Sequence, residues 1–143
     1  EGGLMQRILG LDVGNKTIGV AASDPLGLTA QGVTVLRRSS LAADLEALQE
    51  LLDRYQASEV AVGLPLNMNG SKGPQAEVAE AFGNALAAKG VTVNYVDERL
   101  STVAAERALL AGDVRRSKRK NVIDMIAAQL ILEVYLGRRQ AGK

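Results

Sequence analysis

The order of its elements constrains what this chain can fold into more than any single residue does. Three segments, "RILGLDV", "TIGVAASD" and "QGVTVLRR", read as strands in hairpin succession, and after them helix and strand alternate. The first is apolar on both faces and reads as a buried strand. "GNK" behind it suits a tight turn, since Gly14 and Asn15 tolerate positive φ. "SSLAADLEALQELLDRYQA" predicts a helix capped by Ser39 or Ser40, with Leu41, Leu45, Leu48, Leu52 and Tyr55 as its apolar stripe. "EVAVGLP" is a short strand ended by Pro65, and "LNMNGSKGP" a polar loop. "QAEVAEAFGNALAAKG" is a helix with Val78, Phe82 and Leu86 on one side and Gly90 as its stop. "VTVNYVDER" is a further strand ending in acids, and "STVAAERALLAG" a helix stopped by Gly112. A basic loop, "RRSKRK", then leads to a last helix from about Val122 to Leu136. An antiparallel start followed by βαβ crossovers predicts one α/β domain, a mixed sheet with helices on its faces.

Residues 5–143 are read as that single domain, and "EGGL" before Met5 as an expression remnant. No apolar stretch reaches the roughly 18–20 residues of a membrane span, so no membrane partner is expected. "VIDMIAAQLILEVYL" comes nearest, but it is too short and holds Asp124, Gln129 and Glu133. The chain has no cysteine, which excludes disulfide and thiolate chemistry and fits a reducing, cytoplasmic setting. It has no histidine either, which removes Ser-His-Asp and Cys-His systems and nearly every zinc site. Chemistry must then run on carboxylates, lysines, hydroxyls or a metal held by oxygen, and oxygen ligation points to Mg²⁺ or Mn²⁺. Net charge is only +1, but Arg115 to Lys120 form a compact basic run, either a solvated loop or a nucleic-acid contact.

Asp124 is the most informative acid. At 100° per residue, Gln129 lies about 140° and Glu133 about 180° around the helix from it, which marks their side as the wet one. Asp124 shares the other face with Ala127, Ala128, Ile131 and Tyr135, where an uncompensated carboxylate costs several kcal/mol. The alternative is a capping or helix-dipole acid, because Asp124 lies near the expected start of that helix. Asp12 ends the first strand, and Asp97 and Glu98 end the last. If those strands run parallel, their ends share the sheet edge where α/β folds place ligands. Acids converging there, with no His or Cys in the chain, suggest an acidic metal site.

"LDVGNKTIGVAASDP", "VGLPLNMNGSKGPQAEVAEAF", "DERLST" and "DMIAAQLIL", in that order from about Ile8 to Leu136, resemble the YqgF/RuvX family. Its members have an RNase H-like fold and are described as Holliday-junction resolvases or as nucleases trimming the 5′ end of pre-16S rRNA. The resemblance implies a mixed five-stranded sheet with helices on both faces. It also implies a catalytic and metal-holding set of Asp12, Asp124 and an acid of "DER", read as Glu98 with Asp97 left open as a further ligand. Asn67 and the motif glycines line the surrounding loops. One feature departs from the wider RNase H-like pattern: "EVAVGLP", expected beside the first strand, ends without an acid. The "DER" strand would then lie one strand further out, about 10 Å from the first, and one metal or two stays open.

The expected chemistry is hydrolysis of phosphodiesters assisted by Mg²⁺ or Mn²⁺ on Asp12, Glu98 and Asp124. Arg115, Arg116, Lys118, Arg119 and Lys120 would grip flanking phosphates without reading bases. Lys16 is a phosphate contact or a charge partner of Asp12. The substrate is a precursor RNA or a branched DNA, and symmetric cleavage of a junction would want a homodimer. Tyr55 and Phe82 read as core, so no aromatic stacking platform is expected. Two rivals stand beside this reading. A non-catalytic nucleic-acid-binding module would carry vestigial acids. A phosphotransferase would use the strand-turn-strand as a phosphate loop, but it needs a second domain for which 143 residues leave no room.

Overall fold

A computed structural model describes residues 7–103, 105–107, 109 and 116–142. Residues 5 and 6 of the expected domain, Gly112 and Arg115 lie outside the described residues. The elements are β1 (Arg7–Val13), β2 (Thr17–Ser23), β3 (Ala30–Arg37), α1 (Leu41–Arg54), β4 (Ala57–Leu64), α2 (Pro74–Ala88), β5 (Thr92–Asp97), one 3₁₀ turn (Glu98–Leu100) and α3 (Arg116–Ala141). Residues 105–107 are also helical. Among the described residues, no helix is long and apolar enough to cross a membrane.

The five strands form one sheet in the order β3-β2-β1-β4-β5. β1, β2 and β3 pair antiparallel, whereas β1 with β4 and β4 with β5 run parallel. This is the expected mixed five-stranded sheet, and its parallel half sends the carboxyl ends of β1, β4 and β5 to one edge. Alternation along β1 explains why it is apolar throughout. Leu9, Leu11 and Val13 face Leu48, Leu52, Phe82 and Leu86 of α1 and α2. Ile8 faces Ala127, Ala128, Ile131 and Leu132 of α3. Each large aliphatic side chain buried this way contributes about 1.5–3 kcal/mol.

Ser40 caps α1, accepting from the Ala43 N–H at 3.1 Å. The buried stripe differs from the expected one at its start: Leu41 is 51% exposed and Leu51 is buried. At its first turn α1 points Asp44 inward instead, because Arg38 Nε and the Ser39 N–H, each at 3.0 Å, satisfy that carboxylate. α2 stops as expected at Gly90, whose φ is +95°. The Gly90 N–H bonds the Ala87 carbonyl and the Val91 N–H the Leu86 carbonyl, which closes the helix end.

α3 overturns one boundary. It is 26 residues long and starts at Arg116, so Arg116, Lys118, Arg119 and Lys120 are helical residues, not a loop. Arginine and lysine are good helix formers, and nothing between Arg116 and Val122 breaks a helix. A charge run suggests a loop only by its polarity. The side chains of 116–121 lie outside the described residues. Because the helix begins eight residues before Asp124, that acid is neither a cap nor a first-turn acid.

Candidate active site

Asp12 lies on the α3 side of β1, two residues beyond Gly10 and four beyond Ile8. Its register partner on β2 is Gly19. A Cβ placed on Gly19 would stand 2.1 Å from the carbonyl oxygen of Asp124, so α3 sits directly on this glycine. Gly10 allows a similar approach, since a Cβ there would meet the Ala128 carbonyl and Leu132 Cβ at 2.7 Å. Missing side chains on the sheet thus let the helix backbone descend, which brings Asp124 down beside the end of β1. The Asp124 carboxylate is 8% exposed and accepts a hydrogen bond of 2.6 Å from the Thr17 hydroxyl of β2.

The third acid arrives from further away. β5 ends at Asp97, and Glu98 opens the 3₁₀ turn with its carboxyl buried at 8% exposure. Between β5 and β1 lies β4, which ends in Leu64 and Pro65 and offers no acid. Glu98 spans it because Gly63 is bare: a Cβ on Gly63 would lie 2.5 Å from Glu98 Oε2. Arg107 then joins the two acids. Its Nη2 donates to Asp12 Oδ1 at 2.7 Å and to Glu98 Oε1 at 3.5 Å. Burial pushes the Glu98 carboxyl up to about 7; the Arg107 charge opposes that rise, and the Asp12 and Asp97 charges add to it.

Asp97 is committed elsewhere. Its carboxylate accepts from the Arg99 backbone N–H at 2.9 Å and from Arg99 Nη2 at 2.8 Å, and the Arg99 hydrogen bonds hold it below the usual carboxylate range. Arg99 Nη1 also donates to the Met68 carbonyl at 3.2 Å. The Asp97–Arg99 pair therefore ties the 3₁₀ turn to the loop after β4, and it does not join the Asp12–Arg107–Glu98 group.

Asp12, Asp124, Arg107, Lys16, Pro65 and Gln75 line an open cleft of about 490 Å³. Lys16 is exposed at its rim, and Arg107 is bonded to Asp12 inside it. The turn carrying Lys16 is braced from below: Arg38 Nη1 donates to the Gly14 carbonyl at 3.0 Å. Asn67 is exposed in the loop after β4, where its amide donates to Ser71 Oγ at 2.9 Å, so it builds the loop. Of the basic run, Arg115 lies outside the described residues and the others are placed by backbone only.

The donors are carboxylate oxygens, a set whose type and charge suit a hard divalent cation. In this arrangement no three acids among the described residues stand close enough to hold one ion together, and a guanidinium bridges two of them. The donor chemistry fits such an ion, and the position between Asp12 and Glu98 is taken by a cation of the chain's own.

Sequence reasoning did not find Arg107, Thr17, Gly19 or Gly63. An arginine in "AAERALL" and a threonine in "TIGV" carry no local signal. The glycines do, since a glycine inside an apolar strand marks a close approach.

Residues 6–138 match the protein family described as RuvX: Holliday junction resolvase. A chain from Moorella thermoacetica is 61% identical over 133 residues, covering 92% of this chain and 95% of its own length. One from Heliobacterium modesticaldum is 56% identical over 131 residues, covering 91% and 88%. Both carry the name "Putative pre-16S rRNA nuclease". In three dimensions, T. thermophilus RuvC in complex with Holliday junction substrate is similar at a TM-score of 0.57 and 16% identity, over 94% of this chain and 96% of that one. At that identity the likeness concerns the fold.

Proposed function

Because this chain belongs to the RuvX family of Holliday junction resolvases, we propose that Asp12, Glu98 and Asp124 are the catalytic acids of a divalent-metal-dependent nuclease. The observation that carries the assignment is the convergence of Asp12 and Glu98, from the ends of two strands that do not touch, on one guanidinium. Asp124 enters the same cleft from the opposite layer. Drawn closer than they stand in the arrangement described above, the three would hold Mg²⁺ or Mn²⁺, which when bound supplies charge neutralisation at the scissile phosphate and a more acidic water.

The rest of the work belongs to the chain itself. Thr17 donates to one oxygen of Asp124 and so fixes which lone pairs face the cleft. The Asp97–Arg99 pair holds the turn that presents Glu98. Lys16, exposed at the rim of the cleft, suits a phosphate contact. At about 1.5 Å rise per residue, Arg116 to Lys120 lie about 6–12 Å along α3 from Asp124. With Arg115 they would grip phosphates flanking the one being cut.

The favoured substrate is the 5′ precursor segment of 16S rRNA, a reading supported by the name borne by relatives above 50% identity. The second reading, a four-way DNA junction, follows the family description and would require a two-fold dimer. Matched precursor RNA and junction DNA are to be incubated with wild type and Asp12→Asn, with Mg²⁺, Mn²⁺ or chelator. Cleavage of RNA that needs metal and Asp12 is expected. Cleavage that survives exhaustive chelation would end the carboxylate-metal reading. Paired, symmetric cuts in the junction alone, by a dimer, would favour the second substrate.

A further inference from the structure

We infer that Arg107 is the resident cation of the Asp12–Glu98 pair, a positioning residue that holds the two carboxylates together and yields its place to a divalent ion. The inference rests on the metal-dependent reading above.

Three observations carry it. First, one nitrogen, Nη2, reaches both carboxylates, so the guanidinium stands between the groups assigned to the ion. Like charges that close repel, and a cation between them is what keeps both in place. Second, with neither Asp12 nor Glu98 does Arg107 make the fork-to-fork pairing in which guanidinium and carboxylate bind most strongly. It gives one short bond to Asp12 and a long one to Glu98. Third, its Nε is buried and meets no hydrogen-bond acceptor among the described residues. A donor left unmade in the interior is costly, and a side chain permanently anchored here would be expected to satisfy it. The contact is good enough to hold the site and poor enough to be given up, and with its side chain 36% exposed Arg107 has solvent to move into.

A cation that must leave before another can enter competes with it. Removing Arg107 should therefore tighten metal binding while weakening the metal-free protein. A guanidinium that stays beside a bound ion, or only braces a ligand, predicts the reverse or no change.

The test is calorimetric titration of Mn²⁺ into wild type, Arg107→Ala, Arg107→Lys and Asp12→Asn, with melting temperatures in chelator. Wild type should bind Mn²⁺ in a way that Asp12→Asn abolishes. Arg107→Ala should bind at least about fivefold more tightly, the low end of ordinary coupling between sites, and melt lower than wild type in chelator. Arg107→Lys, which keeps the charge, should show less of both changes. Should Arg107→Ala fail to fold without metal, Arg107→Gln carries the same expectation. Equal or weaker Mn²⁺ binding on loss of the guanidinium overturns the inference and leaves the metal-dependent reading intact. Absence of any Asp12-dependent binding in wild type overturns both.

Discussion

At the scale of single residues, the two neighbouring acids of "DER" do opposite things. Glu98 is buried beside Asp12, and its carboxyl is pushed from 4.5 to about 7. Below about pH 4.5 it is protonated whether or not the chain is folded. Between that pH and about 7 the unfolded chain releases the proton and the folded chain keeps it, so stability falls as pH rises, by about 3 kcal/mol in all. Above 7 both states are ionised and the slope disappears. Melting in chelator across pH 4–8 should therefore show a falling limb in wild type that Glu98→Gln lacks; parallel profiles would contradict the burial argument. Asp97 is held low by Arg99 and acts on the turn. Asp97→Asn should cost about 10–100-fold in turnover, as for groups that orient ligands, and Glu98→Gln should cost more. A dead Asp97→Asn beside an active Glu98→Gln would show that Asp97 is the ligand.

At the scale of elements, the site depends on how closely α3 and the 3₁₀ turn approach the sheet. Gly19 and Gly63 set that distance from below. A methyl on Gly63 would stand 2.3 Å from Ile131 Cδ1 and 2.5 Å from Glu98 Oε2. Both are ends of side chains and can be displaced. A methyl on Gly19 meets backbone, the Asp124 carbonyl oxygen at 2.1 Å, and only a shift of the helix relieves it. Gly63→Ala should thus cost about 1–3 kcal/mol, the usual range for overpacking, and lose Mn²⁺ affinity because Glu98 is pushed aside. Gly19→Ala should destabilise more. Chemical denaturation of the two variants orders these costs, and a Gly63→Ala protein with wild-type metal affinity would show that Glu98 does not need to cross β4.

At the scale of the whole molecule, charge is nearly balanced at +1, so attraction to a polyanion must come from where the cations lie. Four of them occupy the amino-terminal turns of the helix that carries Asp124. Changing Arg115, Arg116, Lys118, Arg119 and Lys120 to Ala should weaken binding to every sequence alike. Each phosphate no longer neutralised should lower the log–log salt slope by roughly 0.7–0.9. Alanine favours helix, so folding should be little affected. An unchanged slope would make this run a solvated helix face.

Composition and order by themselves determined much of this protein. An all-apolar first strand, three hairpin strands and a βαβ tail allow few arrangements other than a mixed sheet covered on both faces, because such a strand must bury both sides. The lack of His and Cys left carboxylates as the plausible ligands, and helical periodicity turned Asp124 inward. Tertiary structure decided what those signals leave open. Strand alternation together with apolar content would put Asp97 on the more buried side. It is Glu98 that is buried, because a bare Gly63 opens the path and Arg99 draws Asp97 away. Arg107 meets Asp12 across 95 positions of sequence. Local pattern cannot carry a contact of that range: periodicity records which face of an element is buried, not which residue of another element lies against it.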